Sequence, residues 1–389
     1  MKQGWEYKKL GEVCEVVSGS TPKTNVPEYW GKGHYWVTPA ELNETIVYID
    51  KTERQITDEA LAKTKLRLLP VGTVLLSSRA PIGKVAITKT EMYCNQGFKN
   101  CICSDSIYNK YLFYFLRLKK EYLNSLGRGA TFKEISKSIV ESIPIPLPPK
   151  STQLAIVSEL DKINELIRLK KEQLKDFDNL AQSIFYEMFG DPVENEMGWE
   201  VKKLGEVCIT ITDGDHMPPP KSESGIPFLT ISDINKETRE LDFSNTYFVP
   251  IEYYNNLKEE RKAKLNDLLY TVTGSYGIPV IVKDERQFCF QRHIALIRPQ
   301  KEVLSTYFLC YWVLSAAVKS IADKVATGIA QKTVGLNSIR KFEIIIPPLS
   351  LQHLFAQRIE QIEHQKAEVQ KAIADLETLL ASRMQYWFE

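Results

Sequence analysis

The 389-residue sequence lacks several features that would place it in a familiar class of protein. No apolar run approaches the roughly 20 residues that a membrane-spanning helix needs, and the first five residues are not followed by the apolar stretch of a signal peptide. Its seven cysteines include no Cys-x-x-Cys pair, and Cys101-Ile102-Cys103 is too tightly spaced for a usual zinc knuckle. These absences predict a cytoplasmic protein with buried, reduced thiols and no membrane association.

Motifs of catalysis are also missing. There is no Gly-x-Gly-x-x-Gly motif, and Gly83-Lys84 lacks the upstream glycine and the following hydroxyl of a P-loop. The Asn/Asp-Pro-Pro-Tyr signature of adenine methyltransferases is absent, and no histidine has a fixed spacing to a Ser or Cys nucleophile. Residues 213–216, Asp-Gly-Asp-His, form one loop without a second set of ligands, so we expect no metal there. The sequence therefore favours a protein without a catalytic centre of its own.

What the sequence does contain is an internal duplication. Residues 4–14 and 198–208 are identical at ten of eleven positions. Later landmarks recur 199 residues apart, namely Pro148 and Pro347, Ser151 and Ser350, Gln153 and Gln352, and Phe189 and Phe388. The spacing grows from 194 to 199 residues, which predicts about five extra residues in surface loops in the middle of the second copy. A chain with two homologous halves has pseudo-twofold symmetry available to it.

Charge is distributed unevenly between the halves. The formal net charge is +1, but residues 1–150 contain 22 Lys and Arg against 15 Asp and Glu, whereas residues 190–349 contain 19 against 21. The first half can attract phosphates by its overall charge, while the second needs local clustering of basic residues. This asymmetry argues mildly against a function in which both halves contact nucleic acid.

Each half is predicted to contain a mixed segment followed by a long helix. The mixed segments, residues 1–150 and 190–349, contain short β-rich runs broken by Gly, Pro and Asn. Examples of such runs are residues 71–76, 84–87, 278–282 and 342–346, and the helical stretches between them are Asn109–Ser125 and Thr306–Ala322. Strands and helices do not alternate as in a doubly wound sheet, so we predict two homologous α+β domains.

The remaining segments, residues 151–189 and 350–389, carry the pattern of a coiled coil. Ser151 has the side chain of an N-cap residue, and neither Pro nor Gly occurs between it and Gly190. Apolar residues alternate spacings of three and four over about five heptads, which predicts two helices of about 55 Å. The predicted seam comprises Ile156, Leu160, Ile163, Ile167, Leu174, Phe177 and Ile184 in the first helix, and Phe355, Ile359, Ile362, Val369, Ile373, Leu376 and Leu380 in the second.

We expect the two seams to pair in antiparallel directions, because a pseudo-twofold axis across the helices requires it. Lys170 and Lys366 then lie opposite Ile373 and Phe177, and each is expected to keep its ammonium in water while its stem covers the apolar neighbour. The alternative is two independent amphipathic helices, each on its own domain. Paired helices would hold two unlike domains about one turn of DNA apart, which predicts two different half-sites at a fixed gap.

In their order, these features resemble the specificity subunit of type I restriction–modification enzymes. The resemblance covers essentially the whole chain. It rests on Gly-Trp-Glu and Lys-Lys-Leu-Gly-Glu-Val, which open each half, and on a series of short motifs at residues 18–22, 29–31, 36–39, 79–83, 145–149 with Gln153, 188–192, 213–216 and 225–229. One departure is residues 346–349, Ile-Pro-Pro-Leu, which lack the Pro that precedes Leu147 in the first copy.

The resemblance implies a non-catalytic subunit of an adenine-specific DNA methyltransferase and ATP-dependent endonuclease complex. Residues 1–150 and 190–349 would be target-recognition domains, each reading half of an asymmetric bipartite site in double-stranded DNA. Residues 151–189 and 350–389 would be the coiled-coil helices that set the spacer and dock two modification subunits. Those partners would carry S-adenosylmethionine, and restriction subunits using ATP and Mg²⁺ can join them, while this chain binds no cofactor itself.

The residues expected to contact DNA place a basic or hydroxyl group beside glycine, where the backbone can approach a phosphate closely. In the first half they are Ser20, Thr21, Lys23, Arg79, Lys84, Arg128, Thr131 and Lys133, and in the second they are His216, Lys221, Ser275, Tyr276, Arg292, His293 and Lys332. Among them, Arg79 is the arginine that we expect to read guanine.

Two other interpretations stay open on the sequence. The chain could be a stand-alone DNA-modifying or DNA-cleaving enzyme with an unrecognised site, or a scaffold whose mixed domains bind polypeptides. Activity of the purified chain with plasmid, Mg²⁺, S-adenosylmethionine and ATP would support the first. Absence of any salt-sensitive DNA binding would support the second.

Overall fold

The computed structural model describes residues 5–79, 81–129, 133–217, 219–328 and 331–389. The chain forms two compact units, the first from residues 1–171 and 371–389 and the second from residues 172–370. Each unit contains one mixed domain together with one end of each of two 40-residue helices. Among the described residues, no helix is long and apolar enough to cross a membrane.

The first domain packs helices against one face of a five-stranded sheet and a three-stranded sheet against the other. Its elements are β1 (Glu6–Lys9), α1 (Leu10–Val13), β2 (Cys14–Ser18), β3 (Trp30–Val37), β4 (Tyr48–Ile49), β5 (Gln55–Ile56), α2 (Asp58–Lys63), β6 (Val74–Leu76), β7 (Val85–Thr88), β8 (Tyr93–Cys94), β9 (Lys99–Cys103), α3 (Asn109–Leu118), α4 (Lys120–Ser125), α5 (Lys137–Ser142) and β10 (Pro144–Leu147). The strand orders are β2-β9-β6-β7-β4 and β5-β3-β8, and β1 pairs with β10. Buried apolar residues of α3 and the larger sheet form the main core.

The second domain repeats this arrangement after the first long helix, α6 (Lys150–Phe189). Its elements are β11 (Glu200–Lys203), β12 (Cys208–Asp213), β13 (Ile226–Leu229), β14 (Ile234–Asn235), β15 (Glu240–Leu241), β16 (Tyr247–Val249), α7 (Ile251–Asn255), β17 (Leu268–Thr271), β18 (Pro279–Ile281), β19 (Cys289–Phe290), β20 (Ile294–Pro299), α8 (Thr306–Leu314), α9 (Ala316–Val325), α10 (Leu336–Arg340) and β21 (Glu343–Ile346), followed by the long helix α11 (Leu349–Phe388). The strand orders β12-β20-β17-β18 and β16-β13-β19 correspond to those of the first domain, and β11 pairs with β21. The α+β fold class and the internal duplication are therefore confirmed.

Both long helices begin and end within one residue of the predicted bounds, but Ser151 is not an N-cap. The N–H groups of Thr152 and Gln153 donate to the Pro149 carbonyl, at 2.9 and 3.1 Å, so Pro149 is the residue that caps α6. Pro348 accepts equivalent hydrogen bonds at the start of α11. The prediction fails because proline fixes φ near the helical value and lets the helix begin directly after it.

Within each unit the two helices run antiparallel. In the first unit Glu159 pairs with Arg383, and Lys171 pairs with Glu377 at 2.8 Å. Residue numbers thus increase along α6 where they decrease along α11. In the second unit the rings of Phe185 and Phe355 lie 5.7 Å apart. Every residue of the predicted seam is buried or half-buried.

Towards the end of α6 the buried face moves by one residue. Phe185 and Phe189 are fully buried in the core of the second unit, whereas the predicted seam residue Ile184 is only half-buried. An α-helix has 3.6 residues per turn, so a strict heptad stripe drifts around it. Here Phe185 and Phe189 pack both on Phe355 of α11 and on Phe308 of the domain, so the buried face is wider than the heptad stripe.

Lys366 differs from its prediction. Its side chain is only 7% exposed, and its ammonium lies 3.0 Å from Oδ1 of Asp178 on the facing helix and 3.3 Å from Oε1 of Glu363. Arg239 from the second domain shares the same Asp178 oxygen at 2.6 Å. The ammonium is therefore neutralised by carboxylates rather than solvated, because packing leaves it no path to water.

Candidate nucleic-acid interface

Four loops of the first domain meet at one end of its larger sheet. They are loop 1 after β2 (residues 19–23), loop 2 between β6 and β7 (77–79 and 81–84), loop 3 between β8 and β9 (95–97) and loop 4 between α4 and α5 (127–129 and 133–135). The Ser20 N–H donates to the Cys94 carbonyl at 2.9 Å, and the Ser78 N–H donates to the Gly97 carbonyl at 2.7 Å. Loop 4 joins them because the Ile135 N–H donates to the Ser78 carbonyl at 3.0 Å. We call this set of loops the first loop surface.

The second domain builds the same surface with the same hydrogen bonds. Its loops are loop 1 after β12 (residues 214–217 and 219–221), loop 2 between β17 and β18 (272–278), loop 3 between β19 and β20 (291–293) and loop 4 between α9 and α10 (326–328 and 331–334). The Asp215 N–H donates to the Phe290 carbonyl at 3.0 Å, and the Val272 N–H donates to the His293 carbonyl at 2.9 Å. Loop 4 joins them because the Val334 N–H donates to the Val272 carbonyl at 2.9 Å. This second loop surface gives a residue-by-residue correspondence between the two halves.

Glycine makes the approach of loop 1 to loop 3 possible in both domains. A Cβ atom on Gly19 would lie 1.9 Å from the Asn95 carbonyl oxygen, and one on Gly214 would lie 1.8 Å from that of Phe290. Any side chain at either position would collide with the backbone. Only glycine allows this close packing of two backbone segments.

Loop 2 is closed by the same pair of hydrogen bonds in both domains. The Ser77 hydroxyl donates to the Pro81 carbonyl and accepts from the Lys84 N–H, at 2.7 and 2.9 Å. The Thr271 hydroxyl makes the two equivalent bonds at 2.8 and 3.0 Å. Arg79 therefore corresponds to Thr273, and the predicted residues Ser275 and Tyr276 occupy other positions of the loop.

The offset between equivalent residues is not produced by one insertion. It is 195 between Gly19 and Gly214, 192 between Thr38 and Thr230, and 199 between Glu134 and Thr333. The first domain thus has extra residues between Gly19 and Thr38, where β3 has 8 residues and β13 has 4, and the second domain has extra residues in several later loops. The predicted excess of about five residues is the net result of these changes.

Arg79 is already engaged within the first loop surface. Its Nε donates to Oε2 of Glu134 at 2.8 Å, and the buried ammonium of Lys99 lies 3.1 Å from the other carboxylate oxygen. Partial burial would raise the pKa of Glu134, but the hydrogen bonds from Arg79 and Lys99 outweigh it and hold the pKa below its ordinary value. Half of the Arg79 side chain is nevertheless exposed, so one edge of the guanidinium still faces solvent.

The other predicted residues of the first domain differ in accessibility. Lys84 is half-buried and donates its ammonium to the Pro39 carbonyl at 2.9 Å, which suits a structural role. Thr21 is half-buried and is hydrogen-bonded to loop 3. The exposed members are Ser20, Lys23, Arg128 and Lys133. Thr131 lies outside the described residues.

In the second domain, Arg292, His216, Lys221, Ser275 and Lys332 are exposed. His216 lies 2.9 Å from Asp213, and Lys221 lies over the Tyr247 ring at 4.9 Å. Ser275 accepts a hydrogen bond from Lys236 at 2.8 Å. Tyr276 donates its hydroxyl to Asp323 at 2.6 Å, which raises the pKa of the phenol. Half-buried His293 has a lowered pKa because of burial and the neighbouring Arg292.

Two further residues of the first domain were not predicted from the sequence. Gln96 in loop 3 is exposed and occupies the position of Arg292. Arg54 stacks 3.8 Å above the Trp30 ring, whose Nε1 donates to the Lys23 carbonyl of loop 1 at 3.2 Å. The available signal was Lys32 between Trp30 and Trp36 in β3, because basic residues interleaved with aromatic rings are typical of nucleic-acid-binding surfaces.

Residues 213–216 are held by ion pairs. Arg261 lies 3.8 Å from Asp213 and 3.6 Å from Asp215, between the two carboxylates. Within the described part of the chain, no cluster of three or more His, Cys, Asp and Glu side chains has the arrangement of a metal site. The acidic loop is thus compensated by a guanidinium from its own domain.

Comparison with known proteins agrees with this duplicated architecture. The family described as type I restriction modification DNA specificity domain matches residues 2–176 and again residues 196–378. The type I restriction enzyme MjaIX specificity subunit of Methanocaldococcus jannaschii is 31% identical over 96% of this chain and 90% of its own length. The EcoR124I/EcoR124II specificity subunit of Escherichia coli is 30% identical over 41% of each chain.

Two solved structures share the fold. A chain from a study of complex assembly and conformational transition of the type I R-M system aligns with a TM-score of 0.64 and 21% identity, over 99% of this chain and 97% of that one. The S subunit of the type I system from M. genitalium aligns with a TM-score of 0.53 and 14% identity, over 99% and 96%. Both alignments extend over the two domains and the two long helices.

Proposed function

The chain belongs to the type I restriction–modification DNA specificity family, and we propose that it reads a bipartite sequence in double-stranded DNA. As a specificity subunit it is the non-catalytic component of its complex. The observation that carries the proposal is the pair of loop surfaces, which have the same backbone hydrogen bonds but different side chains. Gln96 corresponds to Arg292, and Arg79 corresponds to Thr273. Two unlike readers on one scaffold are expected to select two unlike half-sites.

Phosphate contacts would place each loop surface on the duplex. In the first domain the excess of basic residues supports this role, and Arg54, Lys23 and Lys133 offer exposed cations on or beside the first loop surface. In the second domain the total charge is nearly balanced, but Lys221, Arg292 and Lys332 lie on the second loop surface. Basic residues that cluster on the second loop surface would therefore allow phosphate contacts although the total charge of this domain is nearly balanced.

The two long helices would set the distance between half-sites and dock two modification subunits. Leu166 and Leu169 lie outside the seam of α6 and are 48% and 46% exposed, so this face offers apolar surface to a partner. S-adenosylmethionine, and ATP with Mg²⁺ where a restriction subunit joins, would be bound by those partners. This division of labour accounts for the missing catalytic motifs.

The test is DNA binding and methylation by the complex of the full chain with its modification subunit. We expect Arg292→Ala to weaken binding and to relax selection at one position of one half-site, by roughly 1–3 kcal/mol. Lys301→Ala is the matched control, because this exposed residue lies past the end of β20 that is opposite loop 3. Equal effects of the two variants, or no salt-sensitive binding by the wild-type complex, would contradict the proposal.

A further inference from the structure

Beside loop 1 of the first domain, an arginine is stacked on a tryptophan ring. Arg54, just before β5, lies opposite Trp36 of β3, because the Trp36 N–H donates to the Arg54 carbonyl at 3.2 Å. The guanidinium carbon lies 3.8 Å from the centroid of the Trp30 ring and 5.4 Å from that of the Trp36 ring. The Trp30 indole donates to the Lys23 carbonyl of loop 1 at 3.2 Å. The Trp36 indole donates to the Ser20 carbonyl of the same loop at 3.1 Å, so the stack holds the guanidinium at the border of the first loop surface.

The second domain has a cation–aromatic stack at the same position. Phe228 of β13 corresponds to Trp36, because each pairs in parallel with the first residue of the strand that leads to loop 3. Tyr247 of β16 lies opposite Phe228, and the two rings are stacked with their centroids 5.0 Å apart. The ammonium of Lys221, at the end of loop 1, lies 4.9 Å from the centroid of the Tyr247 ring. Tyr247 thus occupies the position of Arg54, and Lys221 supplies the cation from loop 1 instead.

Neither of the stacked cations is neutralised within the protein. Arg67 and Arg79 of the first domain pair with carboxylates, at 3.1 and 2.8 Å. In the part of the chain that the structure describes, Arg54 and Lys221 form no ion pair, and both residues are exposed. The face of an aromatic ring orders a cation without cancelling its charge. Each stack therefore presents a positive charge of restricted motion to a ligand in solvent.

An open recess of about 270 Å³ lies against the stack of the first domain. It is lined by Trp30, Gly31, Lys32, Glu53, Arg54 and Gln55. Two of these side chains are cations and one is a carboxylate, so the recess has a net positive charge. A guanidinium binds phosphate oxygens through two parallel hydrogen bonds, and the ammonium of exposed Lys32 adds a second donor group. The recess is therefore suited to a phosphate group.

We propose that the two stacks bind the DNA backbone, with Arg54 and Lys221 each contacting one phosphate beside the half-site that the neighbouring loops read. The loop surfaces of the two domains differ in their side chains, but both domains keep a stacked cation beside loop 1. A feature shared by two readers of unlike half-sites suits a ligand that is the same in every sequence, which is the phosphodiester backbone. Trp30 and Tyr247 position the cations. The inference rests on the proposed function, because it assumes that the loops face a duplex.

The experiment measures the affinity of the full chain with its modification subunit for two duplexes, one with and one without the methylated site, at a series of salt concentrations. Arg54→Ala should weaken binding to both duplexes by a similar factor, roughly three- to tenfold, and should reduce the slope of log K against log salt by about one. The methylated sequence should stay that of the wild type. Arg67→Ala is the matched control, because it removes the same charge from the same domain and Arg67 pairs with Glu15, near the end of β2 that is opposite loop 1. It should leave the slope unchanged.

A second set of variants tests the aromatic ring. Tyr247→Leu keeps the charge of Lys221 but removes the ring that orders it, so this variant should weaken binding less than Lys221→Ala does. Because the ring acts through the cation, the double variant should bind DNA as Lys221→Ala does. Losses that add in the double variant would show that the ring acts independently of the cation, which would contradict the proposal.

Failure of the stacks can be told apart from failure of the proposed function. A salt slope for Arg54→Ala equal to that for Arg67→Ala would overturn the proposal, and so would a changed methylated sequence, because Arg54 would then read a base. All variants are compared at equal amounts of folded complex, which separates lost contacts from lost protein. A wild-type complex that binds both duplexes equally would refute the proposed function instead, while the salt slopes of its variants would still report on the stacks.

Discussion

At the scale of single residues, Gln153 and Gln352 attach each long helix to the domain before it. Gln153 is fully buried, and its amide nitrogen donates to the carbonyls of Ser106 and Pro148, both at 2.9 Å. Its oxygen accepts from the Tyr108 N–H at 2.8 Å. Gln352 makes the equivalent three bonds. Shortening the Gln153 side chain to alanine would therefore leave three backbone groups, two carbonyls and one N–H, without their hydrogen-bond partner.

We therefore predict that Gln153→Ala lowers the free energy of unfolding of the first unit by about 1–3 kcal/mol, the cost of leaving buried polar groups unsatisfied. Urea denaturation of the full chain, alone or in its complex, would measure the change. The control is Gln361→Ala, an exposed glutamine on α11. Equal stability of the two variants would show that the buried glutamine is dispensable.

Glu134 provides a prediction on pH. Its pKa is lowered in the folded chain, so its ionised form stabilises the fold above the ordinary carboxyl pKa of 4.5, and this contribution is lost as the pH falls through the lowered value. We expect Glu134→Gln to be less stable than the wild type at neutral pH, by about 2 kcal/mol, because buried Lys99 loses its counter-charge. The difference should narrow in acid. Thermal unfolding across pH measures it, and a pH-independent difference would contradict the assigned cause.

At the scale of elements, Asp178 joins three structural elements of the second unit. It lies on α6, pairs with Lys366 on α11, and pairs with Arg239 from the β14–β15 turn. Removal of the carboxylate would leave a nearly buried ammonium and a guanidinium that is 20% exposed with one partner fewer. Breaking a buried pair from one side is costly, whereas replacing the buried cation by an apolar residue is often tolerated.

Accordingly, we predict that Asp178→Ala destabilises the second unit by about 1–3 kcal/mol, because Arg239 loses this carboxylate and nearly buried Lys366 keeps only Glu363, while Lys366→Met is nearly neutral because Asp178 keeps Arg239. Chemical denaturation of both variants tests this asymmetry. Similar losses of stability in the two variants would mean that the ion pair itself, and not the burial of cations that have lost one of their partners, determines stability.

The elements differ in how far the sequence predicts them. The helix pair is predicted almost to the residue, because its heptad repeat is local and long. The burial of Lys366 and its ion pairs are not predicted, because the heptad pattern does not show that Asp178 and Glu363 lie beside it. The loop surfaces are intermediate: a basic side chain marks Arg292, whereas Gln96 stands beside Gly97 but is neither basic nor a hydroxyl residue. Gln96 becomes visible only when the hydrogen bonds of loop 3 align the two domains.

At the scale of the whole molecule, the long helices belong to both units, and their length is expected to determine the gap between half-sites. Insertion of seven residues after Lys171 in α6 and after Gln370 in α11 keeps both seams in register and lengthens each helix by about 10 Å. DNA rises 3.4 Å per base pair, so we predict a gap that is longer by at most about three base pairs.

Methylome sequencing reports both the gap and the half-sites of such a variant, and only the gap should change. Insertion in α6 alone is the control, because it places the two seams out of register and should abolish specific methylation. An unchanged gap in the double insertion would mean that the helices do not act as the spacer.

Each domain is closed by its own first and last strands, which suits its replacement by the domain of a relative. The first domain begins at β1 and ends at β10, which are paired from Glu6–Leu147 to Lys9–Pro144, so the chain enters and leaves it through adjacent strands. The second domain is closed in the same way by β11 and β21. A segment with this closure carries its own core, and its replacement disturbs the rest of the unit only where it packs on the helices.

Replacement of residues 1–150 by the same segment of a relative should therefore change one half-site and leave the other half-site and the gap intact. The reciprocal exchange of residues 190–349 should change only the other one. Retaining Gln153 and the helical residues Ile156 and Leu160, which pack against the exchanged core, keeps the attachment of α6 unchanged. A hybrid whose two half-sites both differ from the wild type would show that the domains do not read DNA independently, because each loop surface would then depend on contacts outside its own domain.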